Sequence, residues 1–363
     1  MRIEAPVVDL EDLLCHDPAR QGPAARAVRD GFGELGLIYI RNHGVPPLEV
    51  LALYDDYLSL LERPEAEKRT WGGPEIWYQR GWTPPNTEQA VVAGGRPDFK
   101  ECFFAAPIDL DPQCRRWFPE VYSANVWPHD ADAFRDRYLA LGRQIHRVGL
   151  TLLQGCARAL DLPVELFDRL TDGAAHVTRL LKYLPLSEHQ TGTGILWGEE
   201  HTDFNLLTLL PGGCFYRGRD RSGRPTSDSG LKLRTRPSES EPRGQQVPGR
   251  PPPGCMVAQV GQQLEVLTNG RFLATPHVIT APTEPGWSRT SLAHFIHLNA
   301  KERVAPVAQL EDPTNDAYAP PVLAGTYALK TLVDIGLAPR SSLDMLGYRH
   351  YGRLAAIRES EDE

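Results

Sequence analysis

The stretch WGEEHTDFNLLTLLPGG (residues 197–213) sets two glutamates, a histidine and an aspartate against a run of leucines. Acids and imidazole are costly to bury beside apolar surface unless they are paired or hold a metal. Read as a strand over 201–210, the stretch puts His201 and Asp203 on one face, about 6.7 Å apart along the backbone. An imidazole and a carboxylate so placed converge on one ion. Glu199 would share that inner face and Glu200 would point away from it. The leucines carry the strand on into a core.

A third ligand must come from elsewhere in the chain. His277 is the natural candidate, placed after Pro276 at the end of an expected strand over 272–277. Two histidines and one carboxylate leave three positions open on an octahedral metal, which suits Fe(II) that must bind oxygen and a cosubstrate. The same three groups would also suit a zinc hydrolase. Further on, Arg289 and Ser291 share one strand face in SRTSLAHF. A guanidinium fork beside a hydroxyl holds a carboxylate in fixed orientation. The alternative is an ordinary ion pair between Arg289 and a neighbouring acid at a strand edge.

The surrounding pattern is mainly β with flanking helices. Strands are expected at 177–184, 256–260, 264–268 and 288–298, with Asn269-Gly270 as a hairpin turn between two of them. Many short strands with helices outside them read as a closed β core, a jelly roll. Helices are expected at 25–35 and 130–160. In the second, Phe134, Tyr138, Leu141, Ile145, Val148 and Leu152 form one apolar stripe. His146 lies beside that stripe and reads as a satisfied surface or boundary histidine. His43, in Asn-His-Gly, reads as a turn residue. The expected division is a supporting region over 1–175, a catalytic core over 176–300, and a C-terminal helical segment with an acidic tail over 301–363.

One stretch breaks the pattern. Residues 217–250 carry nine Lys or Arg against four acids, a local balance of +5 in a chain whose net charge is −8. It reads either as a solvated insertion, partly disordered, or as a lid over a pocket for an anionic ligand.

Composition excludes several classes. With 41% hydrophobic and 24% charged residues the chain reads as globular, and its acidic balance argues against a nucleic-acid partner. No apolar run is long enough for a membrane span. The N-terminus MRIEAPVVDLEDLL lacks a signal-peptide core, so a cytoplasmic location is expected. Six scattered cysteines with no C-x-x-C pair read as reduced thiols.

Taken in order, these motifs resemble the isopenicillin N synthase-like family of non-haem iron, 2-oxoglutarate-dependent dioxygenases. The likeness runs through PVVDL and GFGELGLIYIRNHGVP, DFKECF at 98–103, HTDFNLLTLL, VGQQLEVLTNGRF, PHVI and RTSLAHF. It implies a double-stranded β-helix with Fe(II) bound by His201, Asp203 and His277. It also implies that Arg289 and Ser291 bind the distal carboxylate of 2-oxoglutarate, and that dioxygen is consumed in oxidising a small molecule by hydroxylation, desaturation or ring closure.

Two features depart from the family's pattern. Leu184 falls where relatives carry a tyrosine that helps bind 2-oxoglutarate, and leucine cannot donate a hydrogen bond. The spacing from His201 to His277 is long, because the basic stretch intervenes. The missing tyrosine keeps open an isopenicillin N synthase-like oxidase that uses no 2-oxoglutarate. A catalytically silent jelly roll is the remaining alternative. Lys182, Phe204 and His297 are candidate substrate contacts, each also readable as a structural side chain.

Overall fold

The computed structural model describes residues 5–88, 99–191, 193, 195–236, 241 and 244–344. Its strands, in chain order, are β1 (Val7–Asp9), β2 (Leu37–Arg41), β3 (Gly81–Thr83), β4 (Lys100–Ala105) and β5 (Val177–Tyr183). They continue with β6 (Gly198–His201), β7 (Leu207–Leu210), β8 (Gly213–Tyr216) and β9 (Gly230–Arg234). Next come β10 (Gln246–Pro248), β11 (Met256–Val260), β12 (His277–Thr280) and β13 (Ser288–Ile296), and two further short strands, Arg303–Val304 and Val322–Leu323, pair only with each other.

Among the described residues β1 to β13 form two sheets. The major sheet runs β1-β2-β11-β7-β13-β5-β4-β3, with β8 also paired to β13. The minor sheet runs β10-β9-β12-β6. Crossovers between non-consecutive strands join the two into the expected jelly roll. Alternation along β11 shows how the layers divide. Met256, Ala258 and Val260 face the helical side, while Val257 and Gln259 line the space between the sheets.

The helix Asp132–Ala159 braces the outer face of the major sheet, and the stripe expected from sequence is its buried side. The helix rides close to the sheet because Gly149 has no side chain. A Cβ there would stand 2.2 Å from Ile296 Cδ1 and 2.8 Å from Leu209 Cδ1. Glu101, in the DFKECF segment, pins the same outer face. It receives Trp82 Nε1 at 3.1 Å and the ammonium groups of Lys182 at 3.2 Å and Lys68 at 3.4 Å. Asp98 of that segment lies outside the described residues, as does the acidic tail.

Five local expectations change. The stretch expected to be one strand over 201–210 is two, with residues 202–206 bending between β6 and β7. The strand expected over 264–268 is instead the helix Gln262–Leu267. Asn269 and Gly270, at φ 52° and 75°, end that helix rather than turning a hairpin, and Gly270 N–H donates to Glu265 O at 2.9 Å. Asn-Gly serves either purpose because both need positive φ. The strand expected over 272–277 begins only at His277. Finally, the basic stretch is not simply a solvated insertion. Its β9 pairs with β12 and buries Leu231 and Leu233.

His146 is buried rather than at the surface. Its Nδ1 lies 3.2 Å from His294 Nε2, and its ring centroid lies 4.5 Å from that of His176. His294 Nδ1 in turn meets Thr178 Oγ1 at 3.0 Å. Burial pushes His146 down to about 4, with Arg147 adding to the effect, and holds His176 and His294 well below the ordinary imidazole range. The native state therefore binds fewer protons here than the unfolded chain, whose histidines titrate near ~6.5. Stability should be full above that pH and fall as pH drops below it, because the unfolded chain takes up protons that the buried imidazoles do not. Denaturant midpoints at pH 7.5 and 5.0 measure this, and equal midpoints would contradict it.

All six cysteines are free thiols, and no described helix is long and apolar enough to cross a membrane.

Candidate active site

The site lies between the sheets, where β6 ends and β12 begins. Antiparallel pairing sets His277 opposite His201, with ring centroids 4.4 Å apart. Asp203 joins them by a different route from the one the sequence suggested. It sits beyond the end of β6 in the bend, so strand alternation does not aim it. Its backbone carbonyl accepts from Gln262 N–H at 2.7 Å, and its Oδ2 accepts from Thr208 Oγ1 at 2.6 Å. That leaves Oδ1 facing His201 Nε2 at 3.6 Å and His277 Nε2 at 3.9 Å.

Each imidazole is oriented by its own backbone. Nδ1 of His201 lies 2.7 Å from Glu199 O, and Nδ1 of His277 lies 3.3 Å from Thr275 O. Nδ1–H donation to those carbonyls leaves the Nε2 lone pairs turned inward, the arrangement found at metal-binding histidines. The three ligand atoms all lie within 4.8 Å of one another, close enough to hold one metal ion. At Asp203 and His277 the electrostatics agree, while at His201 burial is outweighed by Asp203, which raises it. Burial alone would raise the Asp203 carboxyl, but His277, His201 and the Thr208 hydroxyl together hold it well below the usual carboxylate range. Burial, aided by His201, pushes His277 down to about 4. An ionised carboxylate beside a neutral imidazole is the state a divalent cation requires. The His201 side chain is 49% exposed, against 9% for His277, so the site opens on the His201 side.

Arg289 and Ser291 lie two residues apart on β13 and line the same cavity, of about 400 Å³. The Arg289 guanidinium carbon lies 5.5 Å from the Tyr183 ring and 5.9 Å from the Phe215 ring. Among the described residues neither the guanidinium nor the Ser291 hydroxyl has a hydrogen-bond or ion-pair partner. The expected alternative, a pairing of Arg289 with a neighbouring acid, is therefore not found among these residues. Gly213 makes the room Arg289 needs, since a Cβ there would lie 2.4 Å from Arg289 Nη2.

Tyr183 corrects the reading of Leu184. β5 ends at Tyr183, which stands directly opposite Arg289 in register, whereas Leu184 lies beyond the strand with its N–H on Phe99 O. A tyrosine thus stands beside Arg289, one residue before Leu184. Lys182 is also corrected. Successive strand residues face opposite sides, so Lys182 points to the outer face and pairs with Glu101 at 3.2 Å. It is not among the residues lining the cavity. Phe204 and His297 do line it, with ring centroids 5.2 Å apart, and burial, with Arg80 adding, pushes His297 down to about 4.

Several contributors carried little or no motif signal. Thr208 steadies Asp203 from five residues away. Glu200 takes the guanidinium of Arg234 on β9 at 2.6 and 2.7 Å. On the opposite wall, Arg179 and Lys100 share the carboxylate of Glu88. Burial alone would raise Glu88, but those two cations bring it down to about 2. His43 accepts from Val45 N–H at 3.1 Å, as a turn residue should.

Comparison with known proteins agrees with this geometry. Residues 5–130 match the family described as non-haem dioxygenase in morphine synthesis, N-terminal, and residues 223–298 match the 2OG-Fe(II) oxygenase superfamily. A proline hydroxylase of Petromyces alliaceus is 27% identical over 293 residues, covering 77% of this chain and 82% of that protein. A homoarginine-6-hydroxylase of Oryza sativa subsp. japonica is 27% identical over 321 residues, covering 83% and 88%. A 2OG-Fe(II) oxygenase family protein from Caulobacter crescentus superposes with a TM-score of 0.72 at 25% identity, covering 91% of this chain and 98% of that one. A full-length Neurospora crassa protein, crystallised with alpha-KG and thymine, shares the fold with a TM-score of 0.72 at 20% identity, covering 90% and 96%.

Fold and site together define a non-haem iron oxygenase. The chain belongs to the 2-oxoglutarate- and Fe(II)-dependent dioxygenase family, within the isopenicillin N synthase-like superfamily. Its metal is Fe(II), and its cosubstrates are 2-oxoglutarate and dioxygen.

Proposed function

We propose that the protein oxidises an unactivated C–H bond of a small molecule, by hydroxylation in the first instance, in amino-acid-derived or secondary metabolism. The observation that carries this reading is one cavity of about 400 Å³ holding both the His201–Asp203–His277 cluster and the pair Arg289 and Ser291, which have no partner among the described residues. A cavity of that size suits a small ligand rather than a polymer. The proline and homoarginine hydroxylases among the relatives support an amino acid or a compound made from one.

When bound, Fe(II) supplies the chemistry that couples oxidative decarboxylation of 2-oxoglutarate to succinate with oxidation of the substrate. The side chains do the rest. His201, Asp203 and His277 would hold the metal through their clustered ligand atoms. Thr208 keeps the unused Asp203 oxygen occupied, which fixes the direction of the other. Arg289 and Ser291, with Tyr183 opposite, clamp the distal carboxylate of 2-oxoglutarate and so set where its keto acid end lies. Leu210, Val257, Leu231 and Ile279 supply apolar wall around the site, which limits water near the reacting carbon. Incubation with Fe(II), 2-oxoglutarate and labelled dioxygen tests the reading. Succinate carrying one labelled oxygen atom is the expected product. Absence of succinate, alone and with proline, homoarginine and related acids, would contradict it.

A further inference from the structure

The cavity holds a second guanidinium that the chemistry above does not use. Arg179 sits on β5 directly opposite Ala293 of β13, on the cavity side of the sheet, four residues from Tyr183 and Arg289 in the same register. At about 3.3 Å per residue the two arginines are roughly 13 Å apart at the backbone. They also turn to different neighbours. Arg289 lies over Tyr183 and Phe215, whereas the Arg179 guanidinium carbon is 4.6 Å from the Phe104 ring. Arg179 Nη2 is taken by Glu88 and by Cys102 Sγ at 3.2 Å. Its Nε is sealed from solvent without a partner, while Nη1 is neither sealed nor hydrogen-bonded among the described residues.

This arrangement fixes a direction. Glu88, itself held by Lys100 Nζ at 3.1 Å, keeps one edge of the guanidinium in place, and the Phe104 face keeps it flat. Nη1 is left to serve whatever enters the cavity. Ala293, the residue across from it, is small and lines the same space, so no bulky side chain stands on β13 between Arg179 and the site. A donor this well oriented in a largely dehydrated wall favours an anion over a neutral isostere.

We propose that Arg179 is the specificity-determining anchor for a carboxylate of the substrate, and that the substrate class is small carboxylic acids. The proposal rests on the oxygenase reading above and deepens it. Glu88 is a positioning residue, because it acts through Arg179.

Binding separates this idea from catalysis. The protein is loaded with Mn(II) and saturating 2-oxoglutarate, so that the Arg289 site is filled. Small carboxylic acids, proline and homoarginine among them, are then titrated by calorimetry, each beside its own primary amide. The acid of the best-binding pair is expected to bind at least tenfold more tightly than its amide. R179Q should erase that preference with the 2-oxoglutarate affinity unchanged, and R179K should keep part of it. Equal binding of acid and amide, no binding of any acid, or an acid preference that survives in R179Q would overturn the proposal. Failure of the wild type to bind 2-oxoglutarate in the first step would instead strike the oxygenase reading.

Discussion

Asp203→Ala should weaken metal binding severely and abolish turnover. Asp203 supplies the only carboxylate of the cluster, and its Oδ1 is the atom both Nε2 atoms approach. Removing it leaves two neutral imidazoles that hold a divalent cation weakly. The expected loss in metal affinity is on the order of a hundredfold or more, because even changes to residues that only orient a ligand cost about 10–100-fold. Thr208→Val provides that milder comparison. It removes the 2.6 Å bond to Asp203 Oδ2 while keeping side-chain volume, and should fall between wild type and Asp203→Ala. Metal titration followed by a succinate assay reads both variants. Full activity in Asp203→Ala would overturn the assignment of the ligands.

The second large effect belongs to the cosubstrate. Arg289→Ala should weaken 2-oxoglutarate binding by about 2–3 kcal/mol, roughly 30- to 150-fold, the scale of a lost charge-assisted contact. Metal affinity should stay as it is, since Arg289 is not among the clustered ligands. Gly213→Ala should act in the same direction without touching a polar atom. The added Cβ would fall 2.4 Å from Nη2 and 2.6 Å from Cζ of Arg289, forcing the guanidinium off its place. Calorimetric titration of 2-oxoglutarate into Mn(II)-loaded protein measures both. Unchanged affinity in Arg289→Ala would show that the carboxylate is held elsewhere.

Much of this was legible in the sequence because a few motifs carry dense chemistry. H-x-D, a later histidine and R-x-S recur in order, and the structure brings those five residues to one cavity. The apolar stripe of the helix Asp132–Ala159 was equally plain, since helical periodicity needs no partner to be read. What misled was local ambiguity. Leu264 to Leu267 suits a strand or a helix, and Asn269-Gly270 marks either a hairpin or a helix end, so only tertiary packing decides. The alternation argument reached the right pair, His201 and Asp203, for a partly wrong reason, because β6 stops at His201 and a bend carries Asp203 inward. Leu184 falls where the motif pattern leads one to expect a tyrosine, whereas Tyr183 is the residue opposite Arg289. The period of two through Arg179, Leu181 and Tyr183 would have found it, together with the second arginine. Charge composition made the basic stretch look detachable, whereas alternation of Leu231 and Leu233 within it marks a core strand. Other site residues carried no chemical signal of their own: Thr208 acts by a hydroxyl bond five residues back, Glu88 through residues distant in the chain, and Gly213 through the absence of a side chain.

The central claim is that one metal ion and one 2-oxoglutarate share the cavity formed by His201, Asp203, His277 and Arg289. The most direct test is anaerobic absorption spectroscopy of the Fe(II)-loaded protein as 2-oxoglutarate is added. A visible charge-transfer band should grow to saturation at one equivalent per chain, be lost in Asp203→Ala, and require far more 2-oxoglutarate in Arg289→Ala. A spectrum that does not change on addition of 2-oxoglutarate, or a band that survives intact in both variants, would contradict the account.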